Sequence, residues 1–202
     1  MWLIYIPWHF PLENHDDIIG ASSLAEEKFK KEYPIIYNHL LKYKDKLSKR
    51  NFSETGIRYE WYALQRWGSK YRNDFNKQKL VWTPVNSEYR FCIVPPKYYI
   101  NNSLFMIVGD KLENIYACFN SSLYKFYLQI LLSNGAYAYG SRTFFLGIPI
   151  KQCLKKEREI IKLVNNSQFA LKNKQINRIN QIIFEEYELT DEEITYIEKT
   201  SN

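Results

Sequence analysis

Three short β-forming runs, Lys79–Val85, Tyr89–Val94 and Ser103–Val108, succeed one another with only turns and a short loop between them, and helix-period sequence lies on either side. Strands joined this tightly pair antiparallel, because a parallel neighbour needs a crossover of about a dozen residues or more. Pro95-Pro96 marks a loop or sheet edge, since proline cannot donate to the hydrogen-bond ladder. The expected fold class is therefore α+β: a small, mostly antiparallel sheet flanked by helices, with a helical C-terminal tail.

Beyond the strands the period changes. Leu112, Ile115, Tyr116 and Phe119 form one helical stripe, and Leu123, Phe126, Tyr127, Ile130 and Leu131 form a second. Asn120-Ser121-Ser122 separates them as a helix break and new N-cap. The stretch from Lys155 to Asn202 reads as helical throughout, and Thr190-Asp191-Glu192-Glu193 is a capping box that opens its last helix. Before the strands, Ser23-Leu24-Ala25-Glu26 is another capping box, and Pro34 suits the first turn of the next helix. On that helix Tyr37, Leu40, Leu41 and Leu47 lie near one face, with lysines over the remainder. Residues 51–79 have no clean period beyond a short helix expected at Trp61–Arg66.

The apolar start reads as a buried strand, Leu3–Ile6, ended by Pro7. It lacks the basic n-region of a signal peptide and is too short and proline-broken for a membrane span. A strand this early is what a chain beginning inside a larger fold would have. The expected organisation is a recognition domain over 1–154 and a helical tail over 155–202 that packs on it or on a partner domain. Cys92, Cys118 and Cys153 are odd in number and widely spaced, which fits a reducing, cytoplasmic setting rather than a disulfide framework.

Charge is unevenly placed. Residues 1–27 carry five acids and no Lys or Arg, whereas residues 28–79 carry 14 Lys and Arg against five Asp and Glu. A basic block of this kind suits a polyanion partner, because neutralising phosphates releases condensed counterions. Seventeen Tyr, 12 Phe and 5 Trp add side chains with apolar bodies and polar tips, suited to binding surfaces as well as cores.

Catalytic patterns are missing. The sequence has no G-x-S-x-G, P-loop or dinucleotide glycine string. His9, His15 and His39 have no metal-ligand spacing, so no metal ligand is assigned and core or surface polar roles are expected for them. Asp16 or Asp17 with Glu26-Glu27-Lys28 mimics a Mg²⁺-nuclease motif. That motif requires its second half on a strand, and here it falls just inside a helix, where first-turn acids serve the macrodipole. No catalytic residue is assigned.

Two groups carry the chemistry of DNA reading. The first interleaves cations and amides with aromatics: Arg58, Tyr59, Trp61, Tyr62, Gln65, Arg66, Trp67, Lys70 and Arg72. Arginine bonds guanine edges and glutamine adenine, while lysine meets phosphates. Lys42, Lys46, Lys49 and Arg50, with the lysines of 70–79, are expected on phosphates. The second group is the glycine-bearing loop with Tyr137, Tyr139, Ser141 and Arg142. Against this stands a simpler reading in which the aromatics are core and the charges only solvate a face.

The order of segments is familiar. Tyr33-Pro34-Ile35-Ile36-Tyr37-Asn38-His39-Leu40-Leu41 leads into a lysine-rich helix, then come Gly56-Ile57-Arg58-Tyr59-Glu60-Trp61-Tyr62-Ala63-Leu64-Gln65-Arg66 and Lys79-Leu80-Val81-Trp82. Gly109 precedes a helix with Phe119-Asn120-Ser121-Ser122-Leu123, and after it come Phe144–Pro149 and the tail around Tyr187-Glu188-Leu189-Thr190. This set resembles the TaqI-like C-terminal specificity domain of Type IIG restriction–modification enzymes and related adenine-specific DNA methyltransferases. Pro95-Pro96 departs from it, standing where a polar turn is expected. The resemblance implies a target-recognition module that binds double-stranded DNA beside a methyltransferase domain. S-adenosylmethionine and Mg²⁺ would belong only to the parent enzyme's other domains, because no Asn-Pro-Pro-Tyr motif or cofactor loop occurs here. The competing expectation is a protein-interaction module using its aromatic surface and the amphipathic tail with Ile176, Ile179 and Ile183 on one face.

Overall fold

The computed structural model describes residues 3–13, 17–50, 59–83, 91–101, 103–133, 147–151, 154–167 and 170–200. The chain divides into two compact units, Met1–Arg72 and Asn73–Asn202.

The first unit holds helices α1 (Ser23–Glu32), α2 (Pro34–Leu41) and α3 (Lys44–Ser48), with Pro34 in the first turn of α2 as expected. α1 begins at Ser23, but the cap is Ser22, whose side chain accepts from Ala25 N at 3.2 Å. The acidic half of the capping box is supplied from a distance: Glu60 Oε1 accepts from Ser22 N at 2.9 Å. Glu26, expected in that role, turns instead to Trp61, Tyr37 and Lys44.

Phe29 of α1 centres an aromatic core. Tyr62 lies 4.5 Å from its ring, and Phe10 and Tyr37 meet it edge-on at 5.6 and 5.8 Å. Offset and edge-on geometries align each ring's positive rim with its neighbour's negative face. Polar tips find partners on the way in: Tyr62 OH donates to Phe10 O at 3.0 Å and Trp8 Nε1 to Leu64 O at 2.7 Å. Two sequence expectations fail here. Leu3–Ile6 forms no strand, because its contact with 59–67 is a few separate bonds, Leu64 N to Ile6 O at 2.8 Å among them, rather than a ladder; Leu3 and Ile4 are exposed. Trp61–Arg66 is a run of turns, not a helix, since its carbonyls are drawn to Arg50 and Trp8.

A 3₁₀ segment, Ser69–Asn76, kinked at Tyr71, leads to the second unit. There β1 (Lys79–Trp82) is the central strand, with β2 (Phe91–Val94) and β3 (Phe105–Ile107) antiparallel on either side. Leu80 faces Ile93 on one neighbour and Ile107 on the other, and Trp82 faces Phe91 and Phe105. The chain is thus α+β, with a small antiparallel sheet flanked by helices, as expected.

The helices of this unit are α4 (Leu112–Asn120), α5 (Ser122–Ser133), α6 (Glu157–Asn165), α7 (Asn173–Glu186) and α8 (Asp191–Thr200). The first stripe faces inward, with Leu112, Tyr116 and Phe119 buried beside Leu80, Trp82 and Phe91; on α5 the buried residues are Tyr124 and Leu128 rather than the expected stripe, of which Leu123 and Tyr127 are partly buried and Ile130 is exposed. Ile179, Ile182 and Ile183 of α7 are fully buried in that same core, so this apolar face is satisfied within the unit rather than held for a partner. Glu159 and Arg178 join α6 to α7 through paired bonds of 2.6 and 3.0 Å, which hold the Glu159 carboxyl below its usual range. Asn180 of α7 caps α5: its Oδ1 accepts from Ser122 N at 2.9 Å and its Nδ2 donates to Ser122 Oγ at 2.8 Å. α8 opens on the expected capping box, with Glu193 N donating to Thr190 Oγ1 at 3.3 Å and Thr190 N to Glu193 Oε2 at 2.8 Å.

Candidate nucleic-acid interface

The first unit carries an open cleft of about 570 Å³, lined by Trp8, Gln65, Arg66, Trp67, Gly68, Lys70 and Tyr71 among others. Its wall is assembled from two distant stretches. Residues 65–71 supply the cations, the amide and two aromatics, and the N-terminal segment supplies Trp8. Trp8 is fixed by its bond to Leu64 O and by stacking on Tyr59 at 5.2 Å and 11°. Gly68 adopts φ +70, and a Cβ built there would stand 2.5 Å from the Tyr71 ring. Only glycine lets that ring close over the backbone.

Electrostatics in the cleft come from Arg66 and Lys70, both exposed, and from Arg72, whose guanidinium lies 5.9 Å from the Trp67 ring centre. Gln65 contributes the opposite kind of feature. Its Nε2 is buried without a hydrogen-bond partner among the described residues. Such a donor is costly to leave unmade, so it marks a place where an acceptor from outside would be welcome.

The expected site residues thus separate. Gln65, Arg66 and Lys70 come together on one cleft, with Arg72 beside its Trp67 wall. Lys42, Lys46 and Lys49 stand exposed at the end of α2 and along α3. Arg50 is drawn inward, donating to Leu47 O at 3.0 Å and to Trp61 O and Ala63 O at 2.9 Å each. It clamps the end of α3 to the 61–63 turn, and those donors are not offered to phosphate. Tyr62 is core, 4% exposed, and cannot present a face to DNA. Burial, reinforced by the charge of Glu60, holds its hydroxyl in the protonated form far above a phenol's ordinary range.

Trp61 is half-buried: its Nε1 donates to Glu26 Oε1 at 2.7 Å, and Lys44 Nζ lies 5.0 Å from the ring centre. Burial alone would raise the Glu26 carboxyl, but the bonds from Trp61 and Tyr37 and the Lys44 charge outweigh it and hold it below its usual value. Glu26 thus lies inside a helix, as its place in the sequence predicts, and is engaged by Trp61, Tyr37 and Lys44.

Lys79, expected among the phosphate-binding lysines, is fully buried in β1 of the second unit, its Nζ donating to Phe75 O and Pro95 O at 3.1 and 3.2 Å. Burial lowers its pKa. Lys77 is paired with Asp74 at 2.9 Å. Arg58, Tyr137, Tyr139, Ser141 and Arg142 lie outside the described residues.

His9 is buried, with Nδ1 2.9 Å from Glu60 Oε1, which is the core polar role expected of it. Among the described residues no three His, Cys, Asp or Glu side chains are grouped to hold a metal ion, and no helix is long and apolar enough to cross a membrane. Sequence reasoning missed Trp8 and Tyr71. The aromatic run Trp8-His9-Phe10 directly after Pro7 was the available signal, because proline ends an extended segment and lets the chain turn just beyond it. No known protein family, curated protein or solved structure matches this chain.

Proposed function

We propose that this chain is a sequence-specific DNA-recognition module, the target-recognition part of a Type IIG restriction–modification enzyme of the adenine-methylating class, as the TaqI-like resemblance implies. Methyl transfer and cleavage belong to a separate domain that binds S-adenosylmethionine and Mg²⁺. One observation carries the reading: Gln65, Arg66 and Lys70, chosen from sequence for base and phosphate contact, line one cleft between aromatic walls. The exposed Lys42, Lys46 and Lys49 supply sequence-independent phosphate contacts that set register. A partner-docking role for the tail has less to draw on, since Ile179 and Ile183 are spent on the chain's own core.

Selection from a random duplex pool, and then gel shifts on the enriched duplex and a scrambled one, tests the proposal. Arg66→Ala should weaken the enriched duplex by about 1–3 kcal/mol and leave the scrambled one nearly unchanged. Equal loss on both removes the base-reading role of Arg66. Absence of enrichment, or binding indifferent to salt between low and moderate concentrations, removes the DNA reading itself.

A further inference from the structure

We infer that the outer side of α2 in the first unit docks α8 from the second unit of another copy of this chain, joining copies through an apolar contact rimmed by opposite charges. The inference does not depend on the DNA-recognition role.

The apolar side comes from α2. It carries Ile35, Ile36, Tyr37, Leu40 and Leu41 within eight residues, yet Tyr37 alone is buried. A helix turns about 100° per residue, so Ile35 and His39 stand on the side of α2 away from Tyr37. Ile35 is 85% exposed. Tyr43, just past the end of the helix and also exposed, continues the row, its ring 5.6 Å from that of His39. A helix that is apolar on every side is normally buried on every side. Here one side is committed to the first unit's core and the other faces outward, which is the mark of an interaction surface.

Charge selects what covers it. Lys42 and Lys46 follow the row and are exposed, and between Lys42 and Arg50 five cations stand against one acid, Asp45. Two such surfaces face to face would set lysine against lysine, so α2 is a poor partner for itself. The second unit offers the complement. α8 opens with Asp191, Glu192 and Glu193 and also carries Glu198, against one cation, Lys199. Ile197 is its buried residue, while Glu192 and Tyr196, one turn apart, share an exposed side. Tyr196 is 63% exposed and is steadied edge-on by Phe126 at 5.7 Å, so its ring is presented in a fixed orientation. An aromatic ring on an acidic helix thus matches an aliphatic row beside cations, with apolar contact at the centre and opposite charges at the rim. A phosphate backbone alone would leave Ile35 in water. Lys42 and Lys46 can serve α8 or phosphate but not both at once, so DNA and a second copy compete for them.

Sedimentation of the DNA-free full chain over a micromolar-to-millimolar series, at low and at moderate salt, tests the inference. The native chain should associate as concentration rises, and less so in moderate salt. Ile35→Glu and Glu192→Lys each alter an exposed side chain, so both should keep the native melting temperature while weakening association about tenfold. Mixed in equal amounts, the two variants should recover a one-to-one pair and nothing larger, because the intact α2 of one copy then meets the intact α8 of the other. A chain that stays monomeric at every concentration overturns the inference and leaves DNA recognition standing. Association lost in Ile35→Glu but retained in Glu192→Lys, or not recovered on mixing, overturns α8 as the occupant.

Discussion

The two units reach stability by different routes. The second is built on hydrogen-bonded ladders and apolar stripes: β1 is paired on both edges, and Ile179, Ile182 and Ile183 fill the space beneath α4 and α5. The first has no described strand and a core of six buried residues, three of them tyrosines. It is sewn together by polar groups that reach inward. Glu60, 1% exposed, accepts from His9 N, His9 Nδ1 and Ser22 N, and Arg50 fastens α3 to the 61–63 turn. The lesson is that a segment without regular pairing can still be held in one arrangement by buried polar groups that reach across it.

A pair of truncations probes this difference most strongly. Glu60→Ala strands three donors, two of them buried, and should cost about 3–5 kcal/mol, as much as carving a cavity with Ile183→Ala at about 2–5 kcal/mol. Urea titrations read by tryptophan fluorescence, to which Trp8, Trp61 and Trp67 contribute from the first unit and Trp82 from the second, and by helical circular dichroism would measure both losses. A loss below about 1 kcal/mol for Glu60→Ala would erase the contrast between the units.

A pH series comes next in size and samples both units. Burial raises Tyr62 in the first unit and Tyr116 and Tyr124 in the second above the ordinary phenol value of 10.0. Their stabilising contribution is complete below that value and is lost as pH rises beyond it, because the unfolded chain then releases protons that the folded chain retains. Lys79, lowered by burial, works the other way and relieves a penalty as pH climbs toward 10.5. Cys92, whose thiol burial also raises, opposes Lys79 in that window, so the urea midpoint should fall beyond pH 10, with part of the phenolate absorbance appearing only on unfolding. A midpoint flat from pH 8 to 11 would contradict the burial of these groups.

The smallest effect has the opposite sign. Asn114 is buried with neither amide atom bonded among the described residues, so Asn114→Leu should raise stability by about 1 kcal/mol in a thermal melt; a clear loss would mean that the amide has a partner elsewhere.

What could be read in advance depended on the range of the interactions. The Thr190–Glu193 box formed as expected because both halves sit in one turn. The Ser22–Glu60 cap could not be foreseen, since its two halves are 38 residues apart and nothing local distinguishes Glu60 from Glu26. The sheet and the stripe of α4 were legible from period alone, whereas on α5 the buried side fell on Tyr124 and Leu128, one position along from the expected Leu123 and Tyr127. Side-chain type alone picked out Gln65, Arg66 and Lys70 as candidates, and these three do line one cleft. Arg50, Tyr62 and Lys79 were misplaced because the decision between surface and interior lay with carbonyls and rings remote in sequence.

The amide of Asn180 that closes the first turn of α5 is 58 residues downstream of Ser122. During synthesis α5 emerges from the ribosome well before its cap exists, and the Ser122 amide must rely on water until α7 arrives. A chain interrupted between the two would carry a complete sheet, yet leave that helix unfinished at its start and the core beneath it without Ile179, Ile182 and Ile183.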